Sequence, residues 1–238
     1  MGRLDKRLRQ LELASYGEYI RLLRLPAHED EFRLAVDLLT TNETYFFREE
    51  RHFEFLRSAV LPAHRVDRPF RLWSAASSSG EEAYSAAMVL AEGLGDTPWE
   101  VVGSDISSRV VRTAQRGVYP IESAERIPKP LLRKYCRKGR NSYDGMMAIS
   151  QELRSSVTFV CANLMEDLNR LGTFDVILLR NVMIYFEAET RAGLIQRLQE
   201  MLRPGGYLII GLSETLNGIS SRLSLVNASI YQHSGEGA

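Results

Sequence analysis

The sequence predicts an α/β fold in which a mainly parallel β-sheet follows a small helical domain and is interrupted by a small antiparallel subdomain. From residue 71 onward, short stretches of β character alternate with amphipathic helical stretches, as in sheets whose parallel strands are joined by helices. The segment Phe174–Leu179 is almost continuously apolar, which is typical of a strand covered on both faces. Between residues 118 and 154 the alternation breaks around three prolines, which predicts an insertion.

Composition limits the possible functions. With 238 residues and 45% hydrophobic content, the chain can bury one full core and a small accessory domain. The formal net charge is zero, so nothing global indicates nucleic acid or an anionic membrane. No apolar stretch approaches the roughly 20 residues of a membrane span, and the first ten residues lack the pattern of a signal peptide, so we expect neither feature. Cys136 and Cys161 lack metal-ligand spacing, so we expect reduced thiols, a cytoplasmic protein and no metal site.

The first 39 residues are predicted to form short helices with a break at Pro26. One helical face is partly apolar and another is basic, the basic residues being Arg3, Lys6, Arg7 and Arg9. A basic stripe is ordinarily a solvated helix face, and the alternative is a docking surface for an acidic partner.

A binding loop is predicted over residues 40–48. It combines polar residues with three consecutive aromatics, Tyr45-Phe46-Phe47, and ends in Arg48, just before a helix predicted over Glu50–Leu61. The alternative is a linker anchored by its aromatics, but linkers rarely contain three successive aromatics and an arginine.

The next stretch has the order of a nucleoside-binding half of a Rossmann-like fold. A strand over Arg71–Ala76 leads into a turn of small residues, Ala75–Gly80, and then into a helix for which Ser79 is the predicted N-cap, with Glu82 completing a capping box. A second strand, from Trp99, ends at Asp105. In such folds an acidic residue at this place accepts hydrogen bonds from the ribose hydroxyls.

The residues of the turn indicate which cofactor would bind. A dinucleotide site needs G-x-G-x-x-G, whereas this turn has Gly80 followed by Glu81 and Glu82, and two carboxylates would repel a pyrophosphate. They suit a cationic ligand such as S-adenosylmethionine, which carries an ammonium and a sulfonium. The alternative is that both glutamates only favour the helix N-terminus. A nicotinamide dehydrogenase is disfavoured.

The remaining elements return to strand–helix alternation after the insertion. We expect a helix over Ser107–Gln115 capped by Ser107 or Ser108 and stopped at Gly117, and within the insertion a helix Leu131–Cys136, a turn over 138–145 and a strand Met146–Ile149. The later predicted elements are Val157–Cys161, Phe174–Leu179, a helix Thr190–Leu202 closed by Arg203-Pro204-Gly205-Gly206, a strand Tyr207–Gly211, and an antiparallel pair Leu223–Val226 and Ser229–Gln232. Ligands in such sheets gather beyond the carboxyl ends of the strands, which predicts one rim holding Gly80, Asp105, Asn163 and Asn181.

Six stretches resemble the chemotaxis receptor methyltransferases (CheR), which methylate glutamate side chains of bacterial chemoreceptors with S-adenosylmethionine. They are TNETYFFR at 41–48, WSAASSSGEEAYS at 73–85, SDI at 104–106, ANL at 162–164, FDVILLRNVMIYF at 174–186 and LRPGG at 202–206. The resemblance extends from about residue 3 to residue 232; N-x-T-x-F-F-R and R-N-V-M-I-Y-F are specific to the family, and the rest is shared with class I methyltransferases. It implies a Rossmann-like class I methyltransferase domain over residues 63–238, with the β-subdomain inserted at about 118–155, after an N-terminal helical domain and cofactor-contacting linker over 1–62.

The resemblance also implies the cofactor and the residues that contact it: Asn42, Thr44, Arg48, Glu82, Asp105, Asn163, Leu164, Asn181 and Val182. Asp105 would take the ribose hydroxyls, Glu82 would face the ammonium, and Asn163 and Leu164 would hold the adenine. Arg48 would pair with a carboxylate of the cofactor or of the incoming glutamate. Tyr185 would lie near the sulfonium in a catalytic role, and a packing role is an equal alternative.

A glutamate acceptor fits the absence of a histidine-centred constellation in the sequence. Its carboxyl pKa is near ~4.3, so the nucleophile is ionised at neutral pH and needs no general base. His28, His52, His64 and His233 are scattered and are expected to be surface or packing residues. The alternatives are a catalytically silent cofactor-binding or signalling module and a methyltransferase acting on another acceptor.

The partners implied are the cytoplasmic helical region of chemoreceptors, which Arg3–Arg9 would attract, and a peptide tethered to the receptor C-terminus. In some members this peptide is added as a strand to the β-subdomain. Asn141 stands in the subdomain turn where glycine is common, and asparagine tolerates a left-handed φ. The family's N-terminal domain usually begins one helix earlier than Met1.

Overall fold

The computed structural model describes residues 2–65 and 67–235. Within these ranges the helices are α1 (Asp5–Gln10), α2 (Tyr16–Leu23), α3 (Glu29–Leu39), α4 (Arg51–Phe55), α5 (Glu81–Gly93), α6 (Ser108–Arg116), α7 (Lys129–Tyr135), α8 (Gln151–Ser155) and α9 (Ala188–Glu200). The strands are β1 (Phe70–Ala75), β2 (Trp99–Asp105), β3 (Val118–Pro120), β4 (Cys136–Lys138), β5 (Met146–Ile149), β6 (Val157–Cys161), β7 (Phe174–Leu179), β8 (Leu202–Ile210), β9 (Leu223–Asn227) and β10 (Ile230–His233). No helix among these residues is long and apolar enough to cross a membrane.

The main sheet confirms the predicted α/β class. Its strand order in the described chain is β6-β2-β1-β7-β8-β10-β9, with parallel pairing from β6 to β8 and antiparallel pairing at β10 and β9. Because alternate residues of a strand point to opposite faces, Leu72 and Val176 enter one apolar core while Trp73 and Ile177 enter the other. Every residue of β7 is buried, as its apolar sequence predicts. The carboxyl ends of β1, β2, β6 and β7 therefore open at one edge of the sheet.

The insertion folds as predicted, into a small antiparallel sheet with the order β3-β5-β4. Helix α7 lies between β3 and β4, and the turn before β5 contains Asn141 with φ 56° and Gly145 with φ 77°. Asn141 thus adopts the left-handed conformation that asparagine tolerates.

The predicted capping box at the start of α5 is wrong. The N-cap is Gly80, with φ 95° and no side-chain cap, and Ser79 Oγ donates instead to Glu81 Oε2 at 2.7 Å. A Cβ at Gly80 would stand 2.7 Å from the Ala114 side chain, so close packing against α6 requires glycine here. The Glu82 side chain therefore does not cap the N-terminus of α5 and points into the protein.

Several other boundaries differ from the predictions. The helix predicted over Leu131–Cys136 is Lys129–Tyr135, and Cys136 begins β4. The helix predicted over Glu50–Leu61 is divided into α4, a π-helical turn Leu56–Val60 and a 3₁₀ turn Leu61–Ala63 that contains a proline. Helix α9 ends at Glu200, before the predicted Leu202. Strand β8 begins at Leu202, so the predicted closing turn belongs to this strand, which shifts register against β7 and contains Gly205 with φ 77°.

The N-terminal helices pack around a small core of Leu8, Tyr19 and Ala35. Arg3 and Arg7 both bond to parts of the protein that are distant in sequence. Arg7 forms an ion pair with Glu31 of α3, and Arg3 donates to the carbonyl oxygens of Leu39 and Thr40 at 2.7 and 2.9 Å. These bonds connect the N-terminal segment to α3 and to the linker, and the docking role considered for the basic stripe stays a prediction.

Candidate cofactor site

A cavity of about 420 Å³ lies at the carboxyl ends of the parallel strands. All of the site residues named from the sequence line it: Asn42, Thr44, Arg48, Glu82, Asp105, Asn163, Leu164, Asn181, Val182 and Tyr185. Gly80 does not, since it is packed against α6, so the predicted rim is correct for Asp105, Asn163 and Asn181 only. A cavity of this size, partly apolar with a few converging charges, is typical of a small-molecule site.

Asp105 ends β2 with its side chain aimed into the turn after β1. Its Oδ2 accepts a hydrogen bond from Ser78 N at 2.9 Å and its Oδ1 accepts one from Ser107 N at 2.9 Å. Burial raises the pKa of Asp105, and the backbone N–H donors oppose that rise. Each carboxylate oxygen has a second lone-pair site, so Asp105 can still accept hydrogen bonds from two ligand hydroxyls.

Two non-glycine residues in the turn above Asp105 adopt left-handed conformations, Ala76 with φ 63° and Ser78 with φ 50°. Such conformations cost free energy and persist where the surrounding contacts impose them, commonly at binding sites. Here the contacts are Ser77 N donating to Ser104 O at 2.7 Å and the Ser78–Asp105 bond. The absence of large side chains, which the sequence showed, leaves the turn open toward the cavity.

Glu82 is not a free carboxylate. Ser74 Oγ donates to its Oε1 at 2.7 Å and Arg180 Nη1 donates to its Oε2 at 2.9 Å. Burial raises the pKa of Glu82, while the Arg180 charge opposes the rise. Glu81 bonds Ser79 and does not line the cavity, so the two adjacent glutamates have different environments.

Arg180 is the main site residue that sequence reasoning missed. It follows β7 directly, is 5% exposed, and lies between two carboxylates, Glu82 and Glu49, the latter accepting from Nη2 at 3.1 Å. Its Nη2 also donates to the carbonyl oxygen of Arg48. Its position in the sequence could have indicated this role, because a charged residue immediately after a fully buried strand needs buried partners of opposite charge.

Glu214 and Glu49 fix the loop that carries Asn181 and Val182. Glu214 Oε2 accepts from Asn181 N at 2.9 Å, and its Oε1 accepts from Met183 N at 2.9 Å. Glu49 Oε1 accepts from Asn181 Nδ2 at 3.3 Å. Asn181 has φ 56°, so these bonds hold a loop whose conformation is intrinsically unfavourable.

The linker before α4 is a wall of the site. Phe46 and Phe47 are buried, and Phe47 N donates to Ser85 Oγ at 2.9 Å. Arg48, which lines the cavity, donates from Nη1 to Glu43 O at 2.8 Å and leaves its other guanidinium N–H groups available. This arrangement supports the prediction of a binding loop over that of a simple linker.

Lining residues also come from the N-terminal helices. Val36 and Leu39 of α3 contribute apolar surface, so the N-terminal helices complete the cavity. Asn163 Oδ1 accepts from Met165 N at 2.9 Å, so Asn163 also stabilises the turn that follows β6. Tyr185 is 59% exposed at the mouth, and its phenol has no hydrogen-bond partner among residues 2–65 and 67–235.

Among the described residues there is no group of three or more histidine, cysteine, aspartate or glutamate side chains that could hold a metal ion. Cys136 and Cys161 are free thiols, as predicted.

Comparison with known proteins decides the family. The family described as CheR methyltransferase, SAM binding domain matches residues 42–232. The chain belongs to the CheR family. Chemotaxis protein methyltransferase 2 of Pseudomonas aeruginosa is 41% identical over 233 residues, which are 97% of this chain and 82% of that protein. The chemotaxis protein methyltransferases of Escherichia coli and Salmonella typhimurium are 38% and 37% identical over the same length, covering 97% of this chain and 80% of each relative.

This CheR chain is therefore an S-adenosylmethionine-dependent methyltransferase of chemotaxis, and the fold and cofactor expected from the sequence are confirmed. The cavity fits the cofactor chemically. The Asp105 carboxylate can accept hydrogen bonds from the ribose hydroxyls, and the Glu82 carboxylate can pair with the ammonium group. The apolar part of the lining can contact the adenine base. Two buried polar atoms of lining residues, Ser77 Oγ and Arg180 Nε, have no hydrogen-bond partner among residues 2–65 and 67–235, as is found where a polar ligand binds nearby.

Proposed function

We propose that this CheR methyltransferase esterifies glutamate side chains of chemoreceptors. The observation that carries the proposal is the placement of Arg48, a cation with available donors, on the wall of a cavity whose other charged groups are carboxylates or paired. An anionic acceptor would be repelled by Asp105 and Glu82 unless a cation guided it, and Arg48 is suited to that task. The names of the relatives, all chemotaxis protein methyltransferases, agree with a receptor acceptor.

The reaction needs no proton transfer. When bound, S-adenosylmethionine supplies an electrophilic methyl group. An acceptor carboxylate oxygen forms a bond to the methyl carbon while the carbon–sulfur bond breaks, and that electron pair stays on sulfur, giving a glutamate methyl ester and S-adenosylhomocysteine. Since the acceptor is ionised at neutral pH, the residues act by alignment, which can supply roughly 7–11 kcal/mol in well-oriented systems.

The residues of the site divide between cofactor and acceptor. Asp105 binds the ribose hydroxyls, Glu82 shares its charge between Arg180 and the cofactor ammonium, and the other contacts are Asn42, Thr44, Asn163, Leu164, Asn181 and Val182. Arg48 binds the acceptor carboxylate. Tyr185, exposed at the mouth, places its ring beside the methyl group and the incoming side chain.

The inserted subdomain is the proposed site for a peptide tethered to the receptor. In its three-stranded sheet β5 is central, so β3 and β4 are edges that can accept another strand. Strand β4 carries exposed Arg137 and Lys138, which suit an acidic peptide. Calorimetry with the receptor's C-terminal peptide tests this: binding should be lost when Arg137 and Lys138 are both changed to Gln, and binding unchanged by that change would exclude β4. Because the acceptor is the cytoplasmic part of a receptor, the protein is proposed to act in the cytoplasm.

The test of the proposed function uses methyl-labelled S-adenosylmethionine and a chemoreceptor. The protein should place base-labile and hydroxylamine-labile label on receptor glutamates, and Arg48→Ala should abolish this while binding of S-adenosylhomocysteine persists. Arg51→Ala, which changes an exposed arginine on the adjacent helix, is the matched control and should retain activity. Base-stable label on the receptor would indicate a different acceptor group. Binding of the cofactor without any transfer of label would indicate a catalytically silent module. Undiminished labelling by Arg48→Ala would exclude the proposed role of Arg48.

A further inference from the structure

Two arginines from distant parts of the chain share one exposed aromatic ring beside the cavity. The Cζ atom of Arg48 lies 5.8 Å from the ring centroid of Tyr45, and the Cζ atom of Arg126 lies 5.1 Å from the same centroid. The Tyr45 side chain is 39% exposed. Arg48 belongs to the linker, whereas Arg126 ends the 3₁₀ turn Ile121–Arg126 of the inserted subdomain. The ring therefore brings the insertion to the mouth of the site.

Arg126 has no structural task that would use its charge. Its contact with Tyr45 is its one side-chain interaction among residues 2–65 and 67–235, with neither a hydrogen bond nor a carboxylate partner. Arg180, in contrast, is buried and held by two carboxylates. A guanidinium resting on a ring is oriented by cation–π attraction and keeps its N–H donors for a planar anion. Arg126 is thus exposed, oriented and unneutralised.

The distance between the Arg48 and Arg126 guanidinium groups matches the distance between side chains on one face of an α-helix. Because both guanidinium carbons lie within 6 Å of one centroid, they are no more than about 11 Å apart. On an α-helix, residues three or four apart are neighbours at roughly 5–6 Å, and residues seven apart are separated by about 10.5 Å along the axis. Two carboxylates on one face of a helix can therefore reach both arginines together.

We infer that Arg126 is a specificity-determining residue that binds a second acidic side chain of the acceptor helix while Arg48 binds the glutamate to be methylated, with Tyr45 setting their spacing. This inference rests on the proposed function. The Arg126 contact favours acceptor glutamates that have another carboxylate on the same face of the helix, one or two turns away. Since the contact is made at an exposed site, it acts on acceptor binding and is weakened by salt.

Kinetics with a chemoreceptor cytoplasmic fragment test the inference. Arg126→Gln should raise the KM for the fragment by about tenfold, as expected for losing one charge-assisted hydrogen bond, with kcat and the Kd of S-adenosylhomocysteine unchanged. Arg126→Lys should recover part of the loss because it keeps the charge. Arg133→Gln, which changes another exposed arginine of the insertion, is the matched control and should leave the fragment KM as it is.

Receptor variants identify the partner carboxylate. In the receptor fragment, each acidic residue three, four or seven positions from a methylated glutamate is changed, one at a time, to the corresponding amide. When the changed residue is the partner of Arg126, Arg126→Gln should cause no further rise in the KM for that fragment. An unchanged KM for Arg126→Gln, an equal rise for Arg133→Gln, or a parallel loss of S-adenosylhomocysteine affinity would overturn the inference. A wild-type protein that leaves no base-labile label on the fragment would instead overturn the proposed function.

Discussion

Arg180 Nη1 lies 2.9 Å from Glu82 Oε2, so the buried carboxylate that faces the cofactor cavity is already paired within the protein. The same guanidinium reaches Glu49 Oε2 at 3.1 Å and rests 5.6 Å from the centroid of the Phe53 ring. One cation therefore connects the linker, the start of α5 and the end of β7. These are the segments that carry the proposed contacts to acceptor and cofactor.

Removing the Arg180 guanidinium should destabilise the folded protein. We expect Arg180→Gln to lower the free energy of unfolding by about 3–5 kcal/mol, because it removes the cation that neutralises two carboxylates, Glu82 and Glu49, that are only 12% and 15% exposed. Urea unfolding at neutral pH measures the change. Arg33→Gln is the control, since Arg33 forms an exposed pair with Glu29 and its loss should cost about 1 kcal/mol or less. Equal effects of the two substitutions would show that the Arg180 network does not stabilise the fold.

Asp105 and Glu82 should differ in the part of the ligand that they recognise. Asp105→Asn should weaken S-adenosylhomocysteine and adenosine alike by roughly 10- to 100-fold, since both have the ribose hydroxyls. Glu82→Gln should weaken S-adenosylhomocysteine but leave adenosine unchanged, because adenosine lacks the ammonium. Calorimetry with the two ligands measures both effects, and Asp144→Asn, at an exposed turn of the insertion, is the control. Loss of adenosine binding in Glu82→Gln would contradict the proposed orientation.

The N-terminal helices should contribute to cofactor retention. Asp37 of α3 accepts from Ser107 Oγ at 2.6 Å, and α3 supplies Val36 and Leu39 to the cavity. We expect Asp37→Ala to speed release of S-adenosylhomocysteine severalfold, because the helix loses its bond to the sheet domain. Asp37→Asn keeps an acceptor oxygen and should behave nearly as wild type, as should Asp30→Ala on the same helix. Stopped-flow displacement measures release, and identical rates for all three variants would exclude a role for α3.

Much of this architecture follows from local patterns. The buried strand β7 and the helix α6, with its Ser107 cap and Gly117 stop, are found where the sequence predicts them. Asn141 has the left-handed φ that its residue type permits. In these places one local preference decides the conformation, and the fold agrees with it.

The errors arise where tertiary contacts override local preference. Ser79 and Glu82 have the spacing of a capping box, but Gly80 turns the chain so tightly against α6 that Glu82 enters the cavity. Arg180 was missed because its partners Glu49 and Glu82 are about 100 or more residues away in sequence. Short patterns carry no information on such pairings.

We expect His52 to make the free energy of unfolding depend on pH. It is buried, its Nε2 lies 2.8 Å from Ser229 Oγ, and burial, with a smaller contribution from the Arg180 charge, lowers its pKa to about 4. The folded protein thus holds a neutral imidazole that the unfolded chain protonates near pH 6.5. This contribution to stability is complete above pH 6.5 and falls as the pH drops toward 4, by up to about 3 kcal/mol.

Unfolding free energies at pH 7 and pH 4.5 check this expectation. His52→Gln should reduce the difference between the two pH values relative to the wild type, whereas His28→Gln should retain it. The same difference in wild type and His52→Gln would mean that other groups cause the loss at acid pH.

The most direct test of the central claim is a crystal structure of this protein with S-adenosylhomocysteine. We expect the adenosyl group in the 420 Å³ cavity, with Asp105 within hydrogen-bonding distance of the ribose hydroxyls and Glu82 beside the ammonium. A ligand bound elsewhere, or Asp105 turned away from the sugar, would contradict it.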